Sequence, residues 1–347
     1  MITVNYASYL AFFLVCMVLL ILPFVPAYQE WRHPSDAEAL PISPNYTSDI
    51  DHFARRLHDD VAARRGEGMQ TGYEEFDFVT APLQDMDWHK ASKRLISAES
   101  IDATTPVRST QPLYVEGSIR TGAECSFSAL YATGNIELGA ESEIHDWAHA
   151  DGVVSLGRKS LALRRISAGT TIELGSEAWF ERLQAPTLRF GSCVNRVIPS
   201  VQAEQEAASF ADLPGAVQQT PSLFLIRGDC ALAANKIYQG SLVVTGFLTV
   251  GERATITGDI KAREGVSIGR GASVQGAITC EKRLYVFKEA RVAGPLISES
   301  DILIGANAVI GLPDGNTSVS ARNIIVEEGV IVHGAVWAHE IGMVKSA

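Results

Sequence analysis

A glycine-marked phrase, I-G-x-x-A-x-V-x-G, returns along this 347-residue chain at a fixed step of eighteen residues. Its first glycine is Gly251, Gly269 and Gly305, and Phe287 takes the same slot between the last two. An earlier set, Gly122, Gly139, Gly157 and Gly175, is spaced 17, 18 and 18 apart, and Glu327 occupies the slot in a last coil. A repeat this short cannot bury an apolar face alone, so it implies a solenoid whose coils cover one another.

Within one repeat, from Arg263 to Cys280, the residues Val266, Ile268, Ala272, Val274, Ile278 and Cys280 share one parity. Strand side chains alternate faces, so two inward residues in every six describe a triangular coil of three short strands. The fold class expected is therefore an all-β solenoid, a parallel β-helix with coils of about 18 residues. The same columns recur at Leu248, Val250, Ala254, Ile256 and Ile260, and in the earlier set at Val154, Leu156, Ala162 and Ile166.

The formal net charge is −11. With no basic run in the solenoid, this argues against nucleic acid as a partner. No charged side chain occurs from Met1 to Gln29, and Ala7 to Ala27 offers an apolar stretch long enough for a transmembrane helix. Arg32, Arg55, Arg56, Arg64 and Arg65 all follow it, which predicts a single-pass anchor with the bulk of the chain in the cytoplasm. The cysteines have no ligand spacing, and Cys125, Cys230 and Cys280 read as inward small apolar residues.

The domain reading is an anchor over 1–28, a linker and amphipathic helical region over 29–93, first coils over 94–191, an insertion over 192–222, and further coils over 223–347. Ser48 is the expected N-cap of a helix whose stripe is Ile50, Phe53, Leu57 and Val61, ending at Gly66. A short strand is expected at Phe76 to Val79, and a short helix near Val201 to Phe210. Gly175 to Gly251 spans four coils plus four residues, so the insertion reads as a bulge on one continuous stack.

The run from Val243 to Gly294, with Gly-Asp-Ile at Gly258 to Ile260 and its paired I-G-x-x-A-x-V-x-G phrases, resembles the bactofilin family of bacterial polymer-forming cytoskeletal proteins. The resemblance covers about 100 residues, Leu242 to Ala347, and is fainter from Tyr114 to Phe190. It implies a right-handed β-helix that polymerises without nucleotide at the inner membrane, scaffolding cell-shape or envelope-synthesis proteins. The expected partners are other copies of the chain, the membrane through residues 7–27, and an envelope-synthesis client. No active site, metal or cofactor is expected. The ends of a solenoid expose strand edges, so the candidate assembly contacts are Val330, Val332, Val336 and Trp337 at the C-terminal tip, and Tyr114 and Ile119 in the first coils.

Two enzyme classes compete with this reading. The inward periodicity also fits left-handed hexapeptide acyltransferases, for which His145 and His333 are the candidate bases, placed near opposite ends of a continuous stack. Glycine follows the inward aliphatic at only one strand in three, however, as at Ile268-Gly269 but not Val274-Gln275. Polysaccharide-cleaving β-helices need carboxylates arrayed across coils, and Glu137, Glu141 and Glu143 form no such array. A third reading is a non-polymerising anchored adaptor.

Overall fold

In the computed structural model, which describes residues 6–25, 28, 32, 49–66, 76–79, 91–191 and 205–346, the eighteen-residue period is one turn of a β-solenoid of about 14 turns. Strands Gly265–Ile268, Ser273–Val274 and Ile278–Cys280 make one coil. Each pairs in parallel with its counterpart one coil on, as in Val266↔Leu284, Val274↔Val292 and Ile278↔Leu296. Three stacks of strands result, and the inward residues Val266, Ala272, Val274 and Ile278 are all buried. At the usual strand spacing, the stack is roughly 65 Å long.

The repeat's glycine and its neighbours are explained by the corner between two strands. A Cβ on Gly157 would lie 2.5 Å from the backbone nitrogen of Ala140 in the preceding coil, so this coil closes on its neighbour because the slot holds glycine, whereas Phe287 and Glu327 fill the slot in other coils. Two residues later the chain turns through the left-handed region in ten coils, at Glu124, Glu141, Lys159 and Glu177, then at Asn235, Arg253, Gly271, Glu289, Asn307 and Gly329. A non-glycine residue there carries a cost of about 1 kcal/mol, which the stacked coils on either side sustain.

The insertion does not bulge from a continuous stack. Residues 76–191 form one arm and residues 205–346 a second arm that runs the opposite way. The terminal strand of the first arm, Trp179–Phe190, pairs antiparallel with the terminal strand of the second, Val330–Lys345. The described part of the insertion instead starts the second arm. Glu206–Ala208 pairs with Lys236–Tyr238, and Ala216–Thr220 folds back antiparallel on Leu223–Ile226. Between them Ser209 caps a 3-10 turn, Phe210–Asp212, by accepting a hydrogen bond from the Ala211 amide. Phe210 is fully buried, 5.1 Å from the Tyr238 ring and 5.5 Å from Phe224, and plugs the apolar column. The helix expected at 201–210 is absent from its described part, and residues 201–204 lie outside the described residues.

The chain divides into two compact units, Met1–Asp49 and Ile50–Ala347. In the first, helix α1 (Tyr6–Ile21) is apolar all round, with Leu10, Phe12, Leu14 and Leu19 exposed. Its 16 residues extend about 24 Å. The 21-residue span expected over Ala7 to Ala27 is thus cut short: Leu22 and Pro23 turn, because proline has no amide to donate and disfavours helical backbone before it. Among the described residues, no helix is long and apolar enough to cross a membrane. The linker of 33–48, with Ser48, lies outside the described residues.

In the second unit, helix α2 (His52–Gly66) and the strand Phe76–Val79 form where the sequence pattern placed them. The buried stripe of the helix is Ala54, Leu57 and Val61, preceded by Ile50, while Phe53 is 45% exposed. It lies against a lateral face of the first arm, not its end. Its apolar side meets Ile96, Tyr114 and Tyr131, which sit side by side in register on successive coils.

Candidate assembly interface

A solenoid end presents a ring of unpaired backbone groups and the end of an apolar column. In this chain each C-terminal end is closed by the other. The nine paired positions fall on all three strand stacks: Trp179 and Phe180 with Met343 and Gly342, Arg182 to Ala185 with Trp337 to Gly334, and Leu188 to Phe190 with Val332 to Val330. Every side of the solenoid is therefore a continuous sheet across the junction. Backbone bonds between strands extend the seal, from the Glu177 amide to Val344, from the Val344 amide to Ala178, and from the Gly329 amide to Phe190, at 2.7 to 2.9 Å.

The apolar column also passes through. Leu183 faces Val336, Leu188 faces Val332 and Phe190 faces Val330, and all six are at most 1% exposed. One hydrophobic core consequently runs from Val79 to Val344 through both arms. Gly342 makes room for Phe180, since a Cβ there would come within 2.3 Å of that ring. Outside the seam, the Arg182 guanidinium lies 4.4 Å from the Trp337 ring centroid, Ser176 donates to Glu328, and His333 sits by Thr187 and the Pro186 carbonyl.

These facts correct the expectation of exposed tips. Val330, Val332 and Val336 are interior residues of an intrachain seam, and Trp337, at 39% exposed, is held against Arg182. Ile119 is in the column between Ile101 and Ile136. Tyr114 is buried under α2, its hydroxyl 3.1 Å from His58 Nδ1. The pattern could not distinguish a terminal coil open to solvent from one covered by another coil, because both demand the same inward side chains.

Among the described residues, the strand edges without a partner strand are at the two N-terminal ends. At the first arm's end, Phe76–Val79 pairs with Arg94–Ser97 and Ile101–Ala103 with Ile119–Thr121, and neither has a described strand on its other edge. At the second arm's end, Ala216–Thr220 has no described strand on its outer edge, and Val217 is 50% exposed.

The titratable groups beneath α2 form a chain. Tyr114 and Tyr131 stack at 4.9 Å, and His58 lies 5.3 Å from the Tyr131 ring. The Tyr131 hydroxyl donates to Asp151 at 2.8 Å, and His149 lies 3.3 Å from the same carboxylate and 2.7 Å from Ser167. Burial, then the bond to Asp151, raises the Tyr131 pKa, while burial lowers that of His149 against the pull of Asp151. The network holds α2 on the solenoid.

The two candidate bases do not lie near opposite ends. His333 is in the junction coil, and His145 lies in a nearby coil of the first arm, beside Ser126 at 2.9 Å. They occupy different corners, His145 next to the strand pair led by Glu143 and His333 next to Pro186. Cys125 and Cys280 are buried and Cys230 half-buried; burial raises the thiol pKa of the latter two. Among the described residues no group of three or more His, Cys, Asp or Glu could hold a metal ion. No family model, curated protein or solved structure matches this chain.

Proposed function

We propose that the protein is a membrane-anchored scaffold that self-assembles without nucleotide through its two open N-terminal solenoid ends, in the manner of the bactofilin-like proteins its coils resemble. The observation that supports this most is the tail-to-tail junction. It removes both C-terminal ends from contact with other chains and leaves two outward ends whose strands, among the described residues, have an unpaired edge. Addition of another copy's coil to such an edge continues a sheet already present, and contacts at two opposed ends that do not close give an open filament.

In this reading the apolar segment 6–25 holds the rod to the inner membrane, with the solenoid on the cytoplasmic side. Its all-round apolar surface favours lipid, and coils of right-handed sense follow from the general preference of parallel crossovers. The rod serves as a platform for an envelope-synthesis or cell-shape client.

Electron microscopy of residues 50–347, which carry a complete core of their own, tests the assembly claim without added nucleotide across a range of protein concentrations. Filaments one solenoid wide are expected, and Val217→Pro at the free edge should shorten or abolish them because proline cannot donate to an added strand. Uniform single rods at all concentrations would contradict polymerisation and favour a monomeric anchored adaptor.

A further inference from the structure

Where α2 meets the solenoid, a cavity of about 320 Å³ opens at a corner of four successive coils, its lining including Phe53, Ser128, Asp146, Trp147, Arg164 and Arg165. Several outward arginines pair with a carboxylate one coil away, as Arg120 does with Glu137, Arg270 with Glu289 and Arg283 with Asp301. Among the described residues, Arg164 and Arg165 have no carboxylate partner. Arg165 lies 5.1 Å from the exposed Phe53 ring, and in the next coil its neighbour in register is Arg182. Burial, and then the charge of Arg165, lowers the pKa of Arg182, with Glu181 opposing.

The cavity also has an acceptor and a flat apolar wall. Asp146 accepts from Ser128 at 3.0 Å and keeps its other oxygen for a donor, while Trp147 and Phe53 line the wall as aromatic residues. Twin guanidiniums select a carboxylate, by bidentate geometry and by charge. A lone carboxylate beside them excludes a second anion and suits an amide N–H. Ring faces suit an apolar side chain. A peptide carrying one acidic residue next to an apolar one supplies all three.

We infer that this corner is the docking site for a short peptide segment of a partner protein, in which one aspartate or glutamate sits beside a large apolar residue. The inference rests on the scaffold reading and names the chemistry of the client segment. The carboxylate engages Arg164 and Arg165, the adjacent backbone amide donates to Asp146, and the apolar side chain lies against Trp147 and Phe53. Burying an arginine–carboxylate pair against aromatic walls concentrates binding in few residues.

The test is selection from a random displayed peptide library against the full chain in detergent, compared with R164Q/R165Q and with F53A. Enriched sequences should carry an acidic residue next to an apolar one, and recovery should fall at least about tenfold with R164Q/R165Q and less with F53A. No enrichment, or enrichment unchanged by R164Q/R165Q, overturns the site. So does calorimetric binding of glucuronate at this corner without any acidic peptide enriching, since that would make it a sugar-acid pocket. Single chains bind or fail to bind here irrespective of polymerisation, so a negative result leaves the filament experiment to decide the scaffold reading separately.

Discussion

In the second arm, outward charged side chains on successive coils pair along the axis, Arg270 with Glu289 and Arg283 with Asp301, beside exposed apolar residues such as Phe287 and Ile297. In the first arm, the corresponding ladder on one face is Ile96, Tyr114, Tyr131 and His149, and helix α2 covers it. The inner columns of the two arms are alike, so coil formation depends on the inward parity alone. The outside is free to vary: the second arm's outer face mixes charged and apolar residues, and the first arm's aromatic ladder lies under a helix. At the junction the inward positions are constrained by a coil from the other arm, while an outward residue such as Gln184 stays exposed.

Substitutions that distinguish the arms should differ in size. The largest effect belongs to Val336→Asp, which places a charge in the column where the arms meet. It should destabilise by about 4 kcal/mol or more and release the arms for proteolysis between them, whereas Gln184→Asp on the outer side of the same seam should change stability by about 0.5 kcal/mol or less. Urea unfolding and limited proteolysis read both. Next, Tyr131→Ala in the covered ladder should cost about 3 kcal/mol and free α2 to protease, but Tyr285→Ala, outward in the uncovered arm, under about 1 kcal/mol. Equal losses at the two tyrosines would remove the distinction between the arms.

Gly157→Ala should cost about 1–3 kcal/mol, because the preceding coil's backbone occupies the space of the added methyl. The smallest effect concerns pH. Burial lowers the folded pKa of His149, so as pH falls through its unfolded value of about 6.5 the unfolded chain binds the proton first and stability declines. The decline levels off once pH passes below the folded value. His149→Gln should flatten that slope, and an unchanged slope would show that other groups carry it.

The period and parity made the coil legible. Val266, Ile268, Ala272, Val274, Ile278 and Cys280 are all buried as the pattern requires. The covering helix was legible as a stripe, but its place was not, since Leu57 and Val61 fit a solenoid side as well as an end. The reversal left almost no trace, because a column residue such as Leu183 needs an apolar neighbour whether the next strand is parallel or antiparallel. The length of α1 was misjudged because the apolar count ran through Pro23, where the helix has already ended.

The antiparallel junction carries both the fold and the assembly proposal, and a disulfide reports it most directly. Gln184 and Ala335 are paired across the seam with both side chains outward. In a chain carrying Gln184→Cys and Ala335→Cys, mild oxidation should give an intrachain crosslink whose yield is independent of protein concentration, and Ser167→Cys with Ala335→Cys should give none. Failure of the first pair to close, or closure only between chains, would contradict the junction and return the solenoid to a single continuous stack.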